Sequence, residues 1–144
     1  MFLILLAVNK KKVDILSLCV KNFLQGVCDI SEDLTVGFAV CTRNPVIITP
    51  SGASKVNLPD FTFEDDVNIT KALYYYLPMI TKQTKILLFS DGHFNETGFL
   101  KIINRAYAVA IGADCNYRNL LTFTKSKSRI FMPWDAAFLA GNII

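Results

Sequence analysis

The strongest constraint on this chain is a set of short, unbroken apolar runs, each too brief for a helix of ordinary length. Phe2–Val8, Lys85–Ser90 ("KILLFS") and Tyr107–Gly112 ("YAVAIG") are the clearest. Runs of this length suit strands covered on both faces, as in a parallel sheet. Between them the period changes. Val13, Leu16, Val20, Phe23 and Val27 recur at three- and four-residue steps, which predicts an amphipathic helix. Ile69, Ala72, Leu73, Tyr76, Leu77 and Ile80 predict a second helix, with Pro78 kinking or ending it. Glu96–Ala106, Asn116–Thr124 and Asp135–Ile144 read as further helices, and Ser128–Met132 as a weaker strand. Leu34–Thr42 and Pro45–Thr49 are β-like runs around Arg43-Asn44, a hairpin; Ser51–Ser54 reads as a turn and Pro59–Asp66 as an acidic loop. Apart from the hairpin, strand and helix alternate. That order predicts an α/β fold: three layers, doubly wound and Rossmann-like, with a mostly parallel six-stranded sheet and one antiparallel edge strand.

Composition narrows the class further. The 144 residues are 52% hydrophobic and 19% charged, which excludes disorder and predicts one domain over residues 1–144. A formal net charge of +3 is too small to announce a nucleic-acid binder. Phe2–Val8 is far shorter than the roughly 20 residues of a membrane span, and Lys10–Lys12 follow it rather than precede it, unlike a signal peptide. Cys19, Cys28, Cys41 and Cys115 show neither C-x-x-C nor zinc spacing, so a reducing, cytoplasmic setting is expected. No Gly-rich phosphate loop occurs, and no nucleotide cofactor is expected.

In doubly wound sheets, ligands sit at the carboxyl ends of strands where the winding reverses. Two strand ends carry suitable polar residues: Asn9-Lys10-Lys11 and Ser90-Asp91-Gly92-His93. Taken in order, the segments resemble the von Willebrand factor A (vWA) domain. Ser90-Asp91-Gly92 resembles that family's [T/S]-D-G strand end, Leu34–Pro50 its second and third strands, Asp66–Leu73 its second helix start, and Ala106–Thr124 the segment around its fifth strand. The resemblance covers essentially the whole chain. In length and ending the chain is similar to short cytosolic bacterial vWA proteins, including those associated with tellurium resistance.

The resemblance implies a metal-ion-dependent adhesion site, in which D-x-S-x-S, a Thr and the [T/S]-D-G aspartate hold a divalent cation that recruits a partner's carboxylate. Here the D-x-S-x-S positions fall on Ala7, Val8, Asn9, Lys10 and Lys11, and the Thr position on Val67; a one-residue slip brings in Asn68 or Thr70. Asp91 alone matches. One carboxylate and one amide are a poor set for a hard cation that wants several oxygens. No metal is therefore expected, and the ammonium of Lys10 or Lys11 is expected to take the cation's place beside Asp91. The plain alternative is that Asp91 only caps the following turn or helix.

These residues give the expectation of a non-enzymatic protein-interaction module, and the resemblance implies one of the kind that serves bacterial stress responses. Its contact surface would comprise Asn9, Lys10, Lys11, Val67, Asn68, Thr70, Asp91 and His93, with a protein partner and with homo-oligomerisation left open. Two rivals remain: a metal-dependent hydrolase using Asp91 with Asp65 and Asp66, and a weak nucleic-acid binder using the lysines. His93, the only histidine, follows Asp91-Gly92 but has no arranged nucleophile, so a solvated loop residue is its plainer reading. Tyr74–Tyr76 surround a helix, so at least one must be exposed, and Phe131, Trp134 and Phe138 supply more aromatic surface than a chain end needs.

Overall fold

The computed structural model describes residues 1–8, 12–31, 34–56, 67–103 and 105–143. The elements run β1 (Phe2–Ala7), α1 (Val13–Ile30), β2 (Thr35–Val40), β3 (Val46–Gly52), α2 (Ile69–Tyr76), β4 (Lys85–Ser90), β5 (Ala106–Ala110), α3 (Tyr117–Thr124), β6 (Ile130–Phe131) and α4 (Ala136–Ile143). The sheet order is β3-β2-β1-β4-β5-β6. All neighbours are parallel except β2 and β3, so the antiparallel strand is at one edge. The winding direction reverses between β1 and β4, whose ends meet at Ala7 and Ser90. The expected six-stranded, mostly parallel architecture is the one observed.

The unbroken apolar run of β1 is explained by its place at the centre. Phe2, Ile4 and Leu6 face a core shared with α1 and α4, while Leu3, Leu5 and Ala7 face one shared with α2 and α3. All six are buried. A strand with two buried faces has no reason to alternate apolar with polar.

One side chain fixes the antiparallel edge. Tyr76, fully buried on α2, puts its hydroxyl at the irregularity in the β2–β3 ladder between Val36 and Phe38. The hydroxyl accepts from the Phe38 N–H at 3.1 Å and lies 2.8 and 2.6 Å from the carbonyl oxygens of Phe38 and Ile48, its acceptors. Burial pushes its pKa up to about 12, so it stays a neutral donor. Gly37 makes room for the ring: a Cβ there would stand 3.2 Å from Tyr76 Cε1 and 3.3 Å from Leu3 Cδ1. Its neighbours in the Tyr74–Tyr76 run, Tyr74 and Tyr75, are exposed.

The boundaries follow the expected ones at Pro78 and depart from them in the β2–β3 hairpin and after Glu96. β3 continues through Ser51 and Gly52, and the chain turns in the short 3-10 segment Ala53–Lys55. Pro78 ends α2 as expected, by way of the 3-10 turn Leu77–Met79. The helix expected over Glu96–Ala106 is not formed: among the described residues of this stretch, one 3-10 turn, Gly98–Lys101, takes its place. Phe99 and Ile103 still fill the core, but Glu96 and Gly98 are engaged by α2 rather than by a helix of their own. The acidic loop Pro59–Asp66 lies outside the described residues.

Replacing Tyr76 by Phe keeps the packing and leaves the ladder groups at the irregularity without the hydroxyl. Tyr76→Phe is expected to lower the unfolding free energy by about 1–3 kcal/mol, read as a fall in the urea midpoint with unchanged slope.

Candidate functional site

The ends of β1 and β4 are joined by Ser90, whose buried hydroxyl donates to the Ala7 carbonyl at 2.6 Å and accepts from the Gly92 N–H at 2.9 Å. Asp91 follows, 1% exposed. Its Oδ1 accepts from the His93 N–H at 3.2 Å, and its Oδ2 lies 3.1 Å from the Lys12 ammonium. Lys12 Nζ also meets Asp114 Oδ1 at 2.6 Å. One ammonium thus bridges a buried carboxylate and an exposed one.

Two glycines make this geometry fit. Gly92 has φ +75°, and a Cβ there would lie 2.2 Å from the Asn116 carbonyl oxygen, so only glycine turns the chain at this point. Gly112 has φ +91°, and its missing Cβ leaves the space through which the Lys12 stem passes, at 2.9 Å from Cε. Asn119 on α3 clamps the turn from outside, donating to the carbonyls of Gly92 and Phe94 at 2.8 Å each.

The charges reinforce one another. Burial pulls the Lys12 pKa down, but hydrogen bonds to Asp114 and Asp91 more than reverse this, leaving it above its ordinary value. The Lys12 hydrogen bond holds the Asp114 carboxyl below its usual range. Burial, followed by the Asp91 charge, pushes the nearby Cys115 thiol up.

A second pole lies at the start of α2. Val67 forms an isolated bridge with Thr42, and the Asn68 N–H donates to the Cys41 carbonyl at 3.1 Å, strapping this segment to the end of β2. Asn68 caps the helix, accepting from the Lys71 N–H at 2.9 Å. Glu96 takes the next donors: the Ile69 N–H at 2.9 Å, the Thr70 N–H, and the Thr70 hydroxyl at 2.7 Å. A carboxylate is well placed there, where unpaired N–H groups concentrate positive charge. His93 connects the poles. Its Nε2 lies 2.9 Å from the Asp114 carbonyl oxygen, and its ring helps line a cleft of about 330 Å³ with Arg43, Val67 and Asn68.

Among solved structures, this architecture is shared with several proteins at low sequence identity. An aerotolerance-related membrane protein of Bacteroides fragilis superposes with a TM-score of 0.67 at 13% identity, over 99% of this chain and 95% of its own. The conserved hypothetical protein BatB of Bacteroides thetaiotaomicron gives 0.66 at 11%, over 99% and 97%. The ArnB paralog VWA2 of Sulfolobus acidocaldarius gives 0.71 at 16%, over 99% of this chain and 44% of its own. The fold is that of a vWA domain. No protein-family model matches the chain, and no curated protein does.

In the frame of a vWA fold, Asp91 stands at the end of β4 as expected, with His93, Asn68, Thr70 and Val67 around the same edge of the sheet. Asn9, Lys10 and Lys11, and the rival acids Asp65 and Asp66, lie outside the described residues. The ammonium seen against Asp91 belongs to Lys12, the third lysine of the run, for which the sequence reading offered only Lys10 or Lys11. Asp114 and Glu96 were also missed. Glu96 sits two residues before Gly98, and Asp114 two after Gly112; acids beside such turns were the available signal. Among the described residues, no group of three or more His, Cys, Asp or Glu side chains is arranged to hold a metal. No described helix is long and apolar enough to cross a membrane.

Lys12→Met removes an ammonium shared by the buried Asp91 and by Asp114, and is expected to cost on the order of 3 kcal/mol, measured by chemical denaturation at pH 7. The pH dependence has two sides. Asp114, lowered on folding, contributes stability that is present above its unfolded pKa of about 4 and is lost as pH falls through its folded value. Lys12, raised on folding, contributes stability that is full below its unfolded pKa of about 10.4 and is lost as pH rises through its folded value. Melting temperature should therefore hold across the window between, with Asp114→Asn flattening the acid limb.

Proposed function

We propose that the chain is a non-enzymatic protein-interaction module of vWA type, working at the carboxyl edge of its sheet with the Lys12 ammonium in place of a divalent cation. The observation that carries this reading is the Lys12 bridge between Asp91 and Asp114. An ammonium 3.1 Å from Asp91 Oδ2 occupies that side of the carboxylate. The Thr70 hydroxyl is directed to Glu96, and Ala7 is a buried apolar residue at the position where the resemblance asks for the first aspartate. These described residues do not fit a hard cation needing converging oxygens.

The absence of an enzymatic role draws support from Ser90 and His93. The Ser90 hydroxyl is spent on the Ala7 carbonyl inside the protein, and the His93 ring faces Asp114, so the pair forms no nucleophile and base. A reducing cytosol suits Cys19 and Cys41, which are buried as small apolar groups, the latter with its pKa pushed up by burial. A bacterial stress response of the tellurium-resistance kind belongs to the same reading, by resemblance.

The test has two arms. Calorimetry with magnesium or manganese is expected to be silent for the wild type; binding that Asp91→Asn abolishes would favour the metal-dependent hydrolase instead. Affinity purification of the full chain from its host, with circular dichroism to confirm folding, is expected to retain a partner in the wild type and lose it in Lys12→Ala and Asp91→Asn.

A further inference from the structure

Beside this edge, α1 and the turn Met132–Asp135 enclose a groove of about 620 Å³ lined chiefly by Ile15, Cys115, Tyr117, Met132, Pro133 and Trp134. That is the size of a site for a few side chains or a small ligand. The lining is apolar yet open to water. Trp134 is 75% exposed and Ile15 50%, and Tyr117 and Met132 are each more than a third exposed. Leu18, one turn along α1 from Ile15, extends the exposed apolar face.

The walls are held in place before anything binds. Cys19 on α1 contacts the Pro133 carbonyl through its sulfur at 3.8 Å, and the Asp135 carboxylate accepts from the Met132 N–H at 3.4 Å. An exposed tryptophan beside a proline is the type of anchor on which binding energy concentrates.

Charge selects the occupant. Asp14 adjoins Ile15, Asp114 lies between Ala113 and Cys115, and Asp135 follows Trp134, so three of the lining segments each carry a carboxylate. The Asp114 side chain is 64% exposed. Among the described residues, Lys12 is already shared by two aspartates, and Arg118 is the cation adjoining Tyr117. An acidic peptide or a nucleic-acid backbone is repelled by this rim. A cation is attracted by it and by the open face of Trp134.

We propose that this groove receives a peptide segment of a partner protein, in which a bulky apolar side chain is flanked by lysine or arginine. The proposal rests on the reading of this sheet edge as an interaction surface and adds the chemistry of what it recognises.

The experiment pans the folded full chain against a library of random displayed dodecapeptides and reads binding of the enriched peptide, synthesised without tryptophan, from Trp134, the chain's only tryptophan. The expected result is enrichment of Leu, Ile, Phe or Met next to Lys or Arg, with a saturable blue shift of Trp134 emission. Ile15→Lys, or Met132→Lys if that variant misfolds, should weaken binding about tenfold or more, by removing an apolar anchor and repelling the basic peptide. Raised salt should weaken it as well. No enrichment, enrichment of acidic peptides, or binding indifferent to both variants overturns the proposal. So does a concentration-dependent dimer that Ile15→Lys abolishes, since a second copy would then fill the groove. If host-partner capture is lost in Asp91→Asn but kept in Ile15→Lys, the groove proposal falls alone. Capture unaffected by any of these changes removes the interaction reading too.

Discussion

A buried carboxylate at the point where the sheet reverses its winding is the constraint around which this edge of the molecule is arranged. Asp91 is 1% exposed, and an ionised group so placed requires donors and a nearby positive charge. The structure supplies them from three directions. The turn contributes the His93 N–H, the segment before α1 contributes the Lys12 ammonium, and Gly112 beyond β5 contributes the empty volume through which Lys12 arrives. Elements distant in sequence are thus committed to one another by a single charge. The Asn116 N–H adds a further tie, donating to the Asp91 carbonyl at 2.8 Å and fixing the start of α3.

Much of the fold was legible because burial on both faces leaves a strong trace in sequence. β1, β4 and β5 are continuous apolar runs for a physical reason, and the stripe of α1 follows from its one-sided packing against the sheet. The segment after Glu96 misled because its apolar spacing satisfies the core whether or not a helix forms. Phe99 and Ile103 are buried in either case, while the backbone is governed by Gly98, which lies against Thr70, and by Glu96, which caps α2. Periodicity reports burial. It reports helical hydrogen bonding only when no tertiary partner competes for the same groups.

The site was legible at Asp91 and blurred around it for a related reason. Three successive lysines carry no period, so nothing in the run says that the Lys12 ammonium reaches Asp91. The answer depends on where α1 begins and on the room left by Gly112, a residue some hundred positions later. Asp114 and Glu96 read as loop acids, and such acids are ordinarily solvated. What distinguishes them is geometry across the chain: Asp114 meets Lys12 at 2.6 Å, and Glu96 meets the first turn of α2. Contacts of this kind have no local signature, which is why a resemblance located the edge but not its working residues.

A lysine in place of a metal, as proposed for this edge, differs from it in more than the number of ligands. A divalent cation dissociates, carries two charges and keeps open positions that a carboxylate from outside can enter. Lys12 is covalently part of the chain, carries one charge, and is approached by two carboxylates of the same molecule. Among the described residues, two aspartates share this one ammonium, so no open position is left on it for a carboxylate from outside. Trp134 and Ile15, exposed beside the Asp114 segment, are the other groups this side of the molecule offers. On the proposed reading, that combination favours a partner surface both apolar and basic.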